Sequence, residues 1–122
     1  MKEKRKVVVL GASTRPGRAS GKAVARLVEQ GMDVVAIGIR AGDIAGIKIL
    51  TGRPVLQDVE TLTLYISPKN QPEWYDYILA MKPKRILFNP GTENPDLKTL
   101  AENGGIQCDD VCTLVLLSLR QF

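Results

Sequence analysis

Residues 7–21, Val-Val-Val-Leu-Gly-Ala-Ser-Thr-Arg-Pro-Gly-Arg-Ala-Ser-Gly, decide the fold: four apolar residues run directly into a glycine-rich turn. We predict a buried strand ending at Leu10 and a helix over about Ser20–Gln30, with apolar residues on one face. Strand, glycine-rich turn and helix in this order build the phosphate site of doubly wound α/β proteins. Glycine lets the backbone approach the ligand, and the amides at a helix start carry partial positive charge. The stretch therefore predicts a phosphorylated nucleotide as ligand.

Strand-like and helix-like segments alternate along the rest of the chain, which indicates a parallel sheet flanked by helices. Further strands are predicted at 34–37, 61–66, 85–88 and 106–108, with a short extended piece at about 47–50. The segment from Val111 to Leu119 fits either a helix or a strand. The sequence thus predicts one Rossmann-like α/β domain over residues 1–122, with a mainly parallel sheet of about five strands.

Two more helices are predicted after the third strand. The first covers about Asn70–Met81, with apolar residues spaced to face the sheet. The second has Asn94 as its N-cap, Pro95 as its first residue and Gly104 as its stop, because Asn favours N-caps and Pro the first helical position.

Composition and charge narrow the class of protein. No apolar run approaches the roughly 20 residues that span a bilayer, and the charged segment Met1–Lys6 does not resemble a secretory signal. We therefore expect a cytoplasmic protein that does not bind membranes. The net charge of +4 lies mostly in that segment, which holds four Lys/Arg and one Glu. We expect no nucleic-acid partner, since no basic and aromatic residues interleave elsewhere.

The residues that commonly carry catalysis or hold metals are scarce. The chain has no histidine, and its two cysteines, Cys108 and Cys112, are too few for a disulfide framework or a structural zinc site. Without histidine the commonest general base is missing. We expect no metal and identify no catalytic residue.

Four segments rich in Gly, Pro or small polar residues follow predicted strands: Gly11–Gly21, Ile39-Arg40, Ser67–Asn70 and Asn89–Thr92. In an open parallel sheet, ligands bind beyond the carboxyl ends of the strands, at the point where the strand order reverses. These segments therefore predict the walls of one crevice. Arg15 within the turn adds a bidentate donor for phosphate oxygens.

Known nucleotide motifs are absent. The glycines at 11, 17 and 21 do not fit G-x-G-x-x-G, and the P-loop pattern fails because Ala23 follows Gly21-Lys22. NAD-binding domains usually place an acid after the second strand to hold the ribose hydroxyls. Arg40 stands near that point instead, which suits a phosphorylated ribose.

Several of these segments resemble the small CoA-binding domain proteins, which are related to the CoA-binding domain of succinyl-CoA synthetase. The resemblance rests on Gly11-Ala12-Ser13-x-x-Pro16-x-Arg18-x-Ser20, and on 43–48, 88–94 and 112–115. It covers nearly the whole chain. Gly38-Ile39-Arg40 replaces the Asn-Pro that the family usually has after the second strand.

The resemblance implies coenzyme A or an acyl-CoA as cofactor, with Gly11, Ser13, Arg18 and Ser20 at its pyrophosphate. Together with the strand-end residues, the predicted cofactor-binding set is Gly11, Ala12, Ser13, Arg15, Pro16, Arg18, Ser20, Arg40, Ser67, Asn70, Asn89, Gly91 and Cys112.

Two classes of function follow from these observations. The first is a non-catalytic CoA-binding carrier, sensor or regulatory module, with a protein partner still to be identified. The second is a small NAD(P)-dependent oxidoreductase or dinucleotide-binding domain.

Overall fold

Seven strands and four α-helices make up the chain in the computed structural model, which describes residues 4–122. The strands are β1 (Lys6–Leu10), β2 (Asp33–Ile37), β3 (Gly42–Ile44), β4 (Ile47–Leu50), β5 (Thr61–Leu64), β6 (Arg85–Phe88) and β7 (Gln107–Asp110). The helices are α1 (Ala19–Glu29), α2 (Tyr75–Met81), α3 (Pro95–Asn103) and α4 (Thr113–Ser118).

The strands form one sheet in the order β3-β4-β2-β1-β5-β6-β7, parallel except for the antiparallel β3–β4 pair. The Rossmann-like α/β class is confirmed, but the predicted count of about five strands is too low. β3 was not predicted from the sequence, because Gly42-Asp43-Ile44 has no apolar run. It pairs with β4 through a two-residue turn, Ala45-Gly46, in which both residues have positive φ.

Two predicted segments differ from the observed helices. The segment predicted as one helix over about 70–81 holds two 3₁₀ turns, Pro68–Asn70 and Pro72–Trp74, before α2 begins. An α-helix that ran on from Pro68 would need a hydrogen bond from the backbone N–H of residue 72 to the carbonyl of residue 68, and Pro72 has no N–H. The segment 111–119, which fitted either structure, forms the short helix α4.

The start of α3 follows the prediction closely. The side chain of Asn94 accepts hydrogen bonds from the amides of Asp96 (3.1 Å) and Leu97 (3.2 Å), and Gly104 is the C-cap. These side-chain bonds satisfy two of the amides that a helix start leaves without intrahelical partners.

The core lies on both faces of the sheet, because alternate residues of each strand point to opposite faces. Val8 and Leu10 of β1 pack in the cluster that contains residues of α2 and α3. Val7 and Val9 pack in the cluster that contains residues of α1 and α4. Full burial of such a side chain stabilises the fold by roughly 1.5–3 kcal/mol. None of the described helices has the length and apolar character to cross a membrane.

β1 lies between β2 and β5: after β1 the chain adds β2, β3 and β4 on one side of it, and then returns to add β5, β6 and β7 on the other. This is the reversal point at which open α/β sheets bind their ligands. The glycine-rich turn follows β1 at the carboxyl edge of this position.

Candidate functional site

A cavity of about 670 Å³ opens at the carboxyl ends of β1, β2, β5 and β6. This volume falls within the range of small-molecule and cofactor sites. Its walls come from the four strand ends that the sequence analysis singled out. The lining consists of 10–15, 18–20, 37–40, 65–67, Asn70, Glu73, Trp74 and 90–92.

The glycine-rich turn is anchored on β2. The amides of Gly11 and Ala12 donate to the carbonyl oxygen of Ile37 at 2.8 and 2.9 Å. Gly11 has φ +98°, and a Cβ there would lie 2.9 Å from the backbone carbonyl carbon of Tyr65. The neighbouring backbone therefore requires this glycine, whether or not a ligand is bound.

Two serines stabilise the turn from within. Ser20 Oγ accepts from the amide of Ser13 at 3.1 Å, and Ser13 Oγ accepts from the amide of Arg15 at 3.1 Å. Because a hydroxyl both donates and accepts, each serine keeps its own hydrogen for another partner. Ser20 is buried, while Ser13 is partly exposed at the cavity wall.

The amino terminus of α1 has no side-chain cap. Its N-cap is Arg18, which cannot accept a hydrogen bond, and no acidic residue lies in the first turn. Within residues 4–122, no acceptor is bonded to the amides of Ala19 and Ser20, both of which line the cavity. Uncapped amides at a helix start form a ready-made anion site.

Three arginines, Arg15, Arg18 and Arg40, line the same cavity and are exposed. In the described part of the chain, none of them has a carboxylate within ion-pair distance. Glu73 is the one acidic residue among the lining residues. The guanidinium groups and the helix start together favour an anionic ligand.

The side chain of Gln71 is fully buried and stabilises the cavity wall formed by the residues after β5. Its Nε2 donates to the carbonyl oxygens of Ile66 (2.9 Å) and Thr92 (2.8 Å), and both of those residues line the cavity. The sequence analysis missed Gln71, since a glutamine between two prolines has no distinguishing pattern.

Trp74 lines the cavity and is the single tryptophan of the chain. The guanidinium carbon of Arg53 lies 4.1 Å from the centroid of its ring. Arg53 Nη1 also donates to the carbonyl oxygen of Glu73 at 2.7 Å. Trp74 was not identified as a site residue from the sequence.

Tyr65 is a further lining residue that the sequence analysis missed. Its hydroxyl oxygen is buried and has no hydrogen-bond partner among the described residues. Burial raises the pKa of the phenol above its ordinary value. Tyr65 therefore stays neutral at physiological pH.

The structure brings ten of the thirteen predicted residues to the cavity: Gly11, Ala12, Ser13, Arg15, Arg18, Ser20, Arg40, Ser67, Asn70 and Gly91. Pro16, Asn89 and Cys112 do not line it. Pro16 is exposed on the turn, and Cys112 is the partly buried N-cap of α4.

Asn89 is buried, and its side chain is hydrogen-bonded to neighbouring parts of the protein. Its Nδ2 donates to Thr63 Oγ1 (2.7 Å) and to the carbonyl oxygen of Leu64 (2.9 Å), and its Oδ1 accepts from the amide of Thr113 (2.8 Å). It therefore connects the ends of β5 and β6 to the start of α4.

The described residues do not place a set of metal ligands at the cavity. Residues 4–122 contain no group of three or more Cys, Asp or Glu side chains placed to hold a metal ion. The chemistry that the cavity offers is hydrogen bonding and charge, from backbone amides, serine hydroxyls and guanidinium groups.

Comparison with known families identifies the domain. The CoA binding domain model matches residues 5–118, almost the whole chain. The protein belongs to this CoA-binding domain family. No curated protein is significantly similar to the chain.

Solved structures share the fold over its full length. An uncharacterized protein of known crystal structure is 41% identical, with a TM-score of 0.92 over 99% of this chain and 100% of that one. A Thermus thermophilus protein is 20% identical, with a TM-score of 0.83 over 98% and 91% of the two chains. A hypothetical protein from Pyrococcus horikoshii is 22% identical, with a TM-score of 0.83 over 97% and 84%.

Proposed function

We propose that the protein binds coenzyme A or an acyl-CoA in the 670 Å³ cavity and acts as a carrier, sensor or regulatory module. The observation that carries this proposal is the uncapped start of α1 beside three arginines that have no carboxylate partner among residues 4–122. Membership of the CoA-binding domain family supports the choice of ligand.

The cavity offers a suitable contact for each part of the CoA molecule. The diphosphate would accept hydrogen bonds from the amides of Ala19 and Ser20 and from Arg18. Arg40, at the end of β2, would pair with the phosphate on the ribose. Trp74, whose ring already lies beneath the guanidinium group of Arg53, would contact the base from the cavity wall. The wall residues Ser67, Asn70 and Gly91 would contact the remaining length of the molecule.

The proposal assigns no reaction to the protein. The chain has no histidine, and the acid that lines the cavity, Glu73, is exposed. We propose that the protein works in the cytoplasm and delivers or reports its ligand to a protein partner. Contacts of Pro16, Asn89 and Cys112 with the ligand stay predictions.

One observation favours the second candidate function, a small NAD(P)-dependent oxidoreductase. Glu73 places a carboxylate on the cavity wall. A carboxylate near the switch point is how dinucleotide-binding domains hold ribose hydroxyls.

Ligand titrations separate the two candidates. CoA, acetyl-CoA, NADH and NADPH are added separately while the fluorescence of Trp74 and the thermal unfolding midpoint are followed. Binding to the folded state alone stabilises it by about 2.7 kcal/mol at a ligand concentration 100 times Kd. We expect this stabilisation with CoA or acetyl-CoA. Stabilisation by NADPH or NADH, with no effect of either CoA form, would overturn the proposal in favour of the oxidoreductase.

A further inference from the structure

A second cluster of arginines lies at the opposite edge of the sheet, where the strands begin. Arg5 immediately precedes β1, and Arg85 is the first residue of β6. The ring of Phe122 lies beside both guanidinium groups, with its centroid 5.0 Å from Cζ of Arg5 and 4.7 Å from Cζ of Arg85. Such contacts are attractive because a cation interacts favourably with an aromatic face.

Among residues 4–122, the three arginines of this region, Arg5, Arg85 and Arg120, outnumber the two carboxylates that act on them, Glu60 and Asp109. Glu60 pairs with Arg5, whose Nε lies 2.7 and 2.8 Å from its two carboxylate oxygens. In residues 4–122, Arg85 and Arg120 have no carboxylate within ion-pair distance. The hydrogen bond from Arg5 holds the pKa of Glu60 below its ordinary value, so this one carboxylate stays charged.

Arg85 acts on this region through its charge. Its Nε donates to Thr61 Oγ1 at 2.8 Å, and its buried Nη2 has no acceptor in the described part of the chain. Burial, and then the nearby Arg5, lower the pKa of Arg85. Arg85 does not line the neighbouring cavity, so it would attract an anion there through its charge and not through a hydrogen bond.

A cavity of about 280 Å³ adjoins the cluster and has two kinds of wall. Arg5, Arg120 and Gln30 supply guanidinium and amide donors. Met32, Leu117 and Phe122 supply apolar surface. The volume is well below that of the main cavity and suits a small molecule rather than a nucleotide.

We propose that this cavity is a second binding site, for a small organic carboxylate with a short aliphatic body. Guanidinium groups bind carboxylates bidentately, as Arg5 already binds Glu60. An aliphatic body covers the apolar walls, which a fully hydrated inorganic anion would leave in contact with water. The site lies at the start of β1 and the main cavity at its end, roughly 17 Å away for a five-residue strand. The two ligands therefore do not compete for the same residues.

The test uses 4-methylpentanoate as the probe and its uncharged counterpart, 4-methylpentanamide, as the comparison. Backbone and arginine side-chain NMR signals of the full chain are followed during each titration. Arg120→Gln removes one charge from the cavity, and Arg40→Gln removes one charge from the main cavity as the matched control. A third variant, Gln30→Glu, places a carboxylate among the lining residues.

We expect the carboxylate to shift the signals of Gln30, Arg120 and Phe122, and to bind at least tenfold more weakly to Arg120→Gln and to Gln30→Glu. Arg40→Gln should bind it as the parent does. Equal binding of the amide, equal binding to Arg120→Gln, or shifts confined to the main cavity would overturn the proposal. Inorganic phosphate binding as tightly as the carboxylate would overturn the assignment of an organic ligand. Unfolding midpoints of the variants establish that each is folded.

Discussion

Asn94 Nδ2 donates a hydrogen bond of 2.8 Å to Oε1 of Gln71, and both side chains are buried. The other end of the Asn94 side chain caps α3, and the other end of Gln71 holds the loops that carry Ile66 and Thr92. One pair of amides thus connects a helix start to two walls of the main cavity. No ionisable side chain is needed for this connection, so we expect it to persist over a wide pH range.

We predict that Gln71→Leu destabilises the protein and weakens CoA binding. The substitution removes the donor to the carbonyl oxygens of Ile66 and Thr92 and leaves Asn94 Nδ2 with Tyr75 Oη as its remaining acceptor. Each buried group left unsatisfied costs about 1–3 kcal/mol, so a loss of about 2 kcal/mol or more is expected from the two carbonyls. Urea unfolding measures the free energy, and a CoA titration measures the affinity.

The matched control for that variant is Gln107→Leu, since Gln107 is exposed and, among the described residues, its side chain is hydrogen-bonded to the nearby Asp109 alone. It should change the free energy of unfolding by less than about 0.5 kcal/mol. Similar losses in the two variants would contradict the role assigned to Gln71.

We predict that Arg18→Ser changes stability and affinity in opposite directions. Serine at the N-cap of α1 accepts a hydrogen bond from an amide of the first turn, which stabilises a helix start by about 0.5–2 kcal/mol. The serine hydroxyl accepts from a backbone amide that would otherwise donate to the diphosphate. The substitution also removes the guanidinium group of Arg18. CoA affinity should fall at least tenfold while the unfolding midpoint of the free protein rises.

Arg26→Ser is the control for this variant because Arg26 lies in the last turn of α1, outside the main cavity. Arg26→Ser should leave CoA affinity within about twofold of the parent value, since Arg26 is not among the residues that line the cavity. The affinity of the parent should also weaken with added salt, as expected for phosphate contacts. An Arg18→Ser variant that binds CoA as the parent does would be incompatible with a diphosphate at this helix start.

We predict that Gly38→Ala is strongly destabilising. A Cβ at Gly38 would collide with the carbonyl oxygen of Ala12, and backbone cannot move aside as a flexible side chain does. Overpacking of this kind costs typically 1–3 kcal/mol. Gly52→Ala is the control, because nothing lies within 4 Å of the Cβ position there. Thermal unfolding of the two variants should differ by several degrees, and equal midpoints would contradict the close contact of the turn with β2.

Local sequence signals predicted much of this architecture. The strand from Lys6, the glycine-rich turn and α1 follow from periodicity and from the placement of glycines, all within about 25 residues. The strand-end segments could be assigned to one crevice because parallel strands present their carboxyl ends at one edge. The residues alone predicted a phosphorylated nucleotide as ligand, and the family resemblance then narrowed this prediction to CoA or an acyl-CoA.

Other features depend on contacts between distant segments, and sequence reasoning missed them. Gln71 bonds to Thr92, and Trp74 stacks on Arg53, each about 20 residues away. Neither pair forms a spacing motif. Asn89 was predicted to face the ligand because it follows β6, yet its amide bonds to β5 and α4. A position at the edge of the sheet was predictable, but the direction of the side chain was not.

The two cysteines should differ sharply in reactivity. Burial, and then the charge of Glu102, raise the pKa of Cys108 to about 11. At pH 8 only about one molecule in a thousand then carries the Cys108 thiolate, which is the reactive form. Cys112 is partly exposed. We expect iodoacetamide to add one label at Cys112, seen by intact mass, and to add a second only on unfolding. Fast labelling of folded Cys112→Ser would contradict this.

The labelled protein also tests the predicted contact of Cys112 with CoA. If the contact exists, the group added at Cys112 should lower the affinity for CoA.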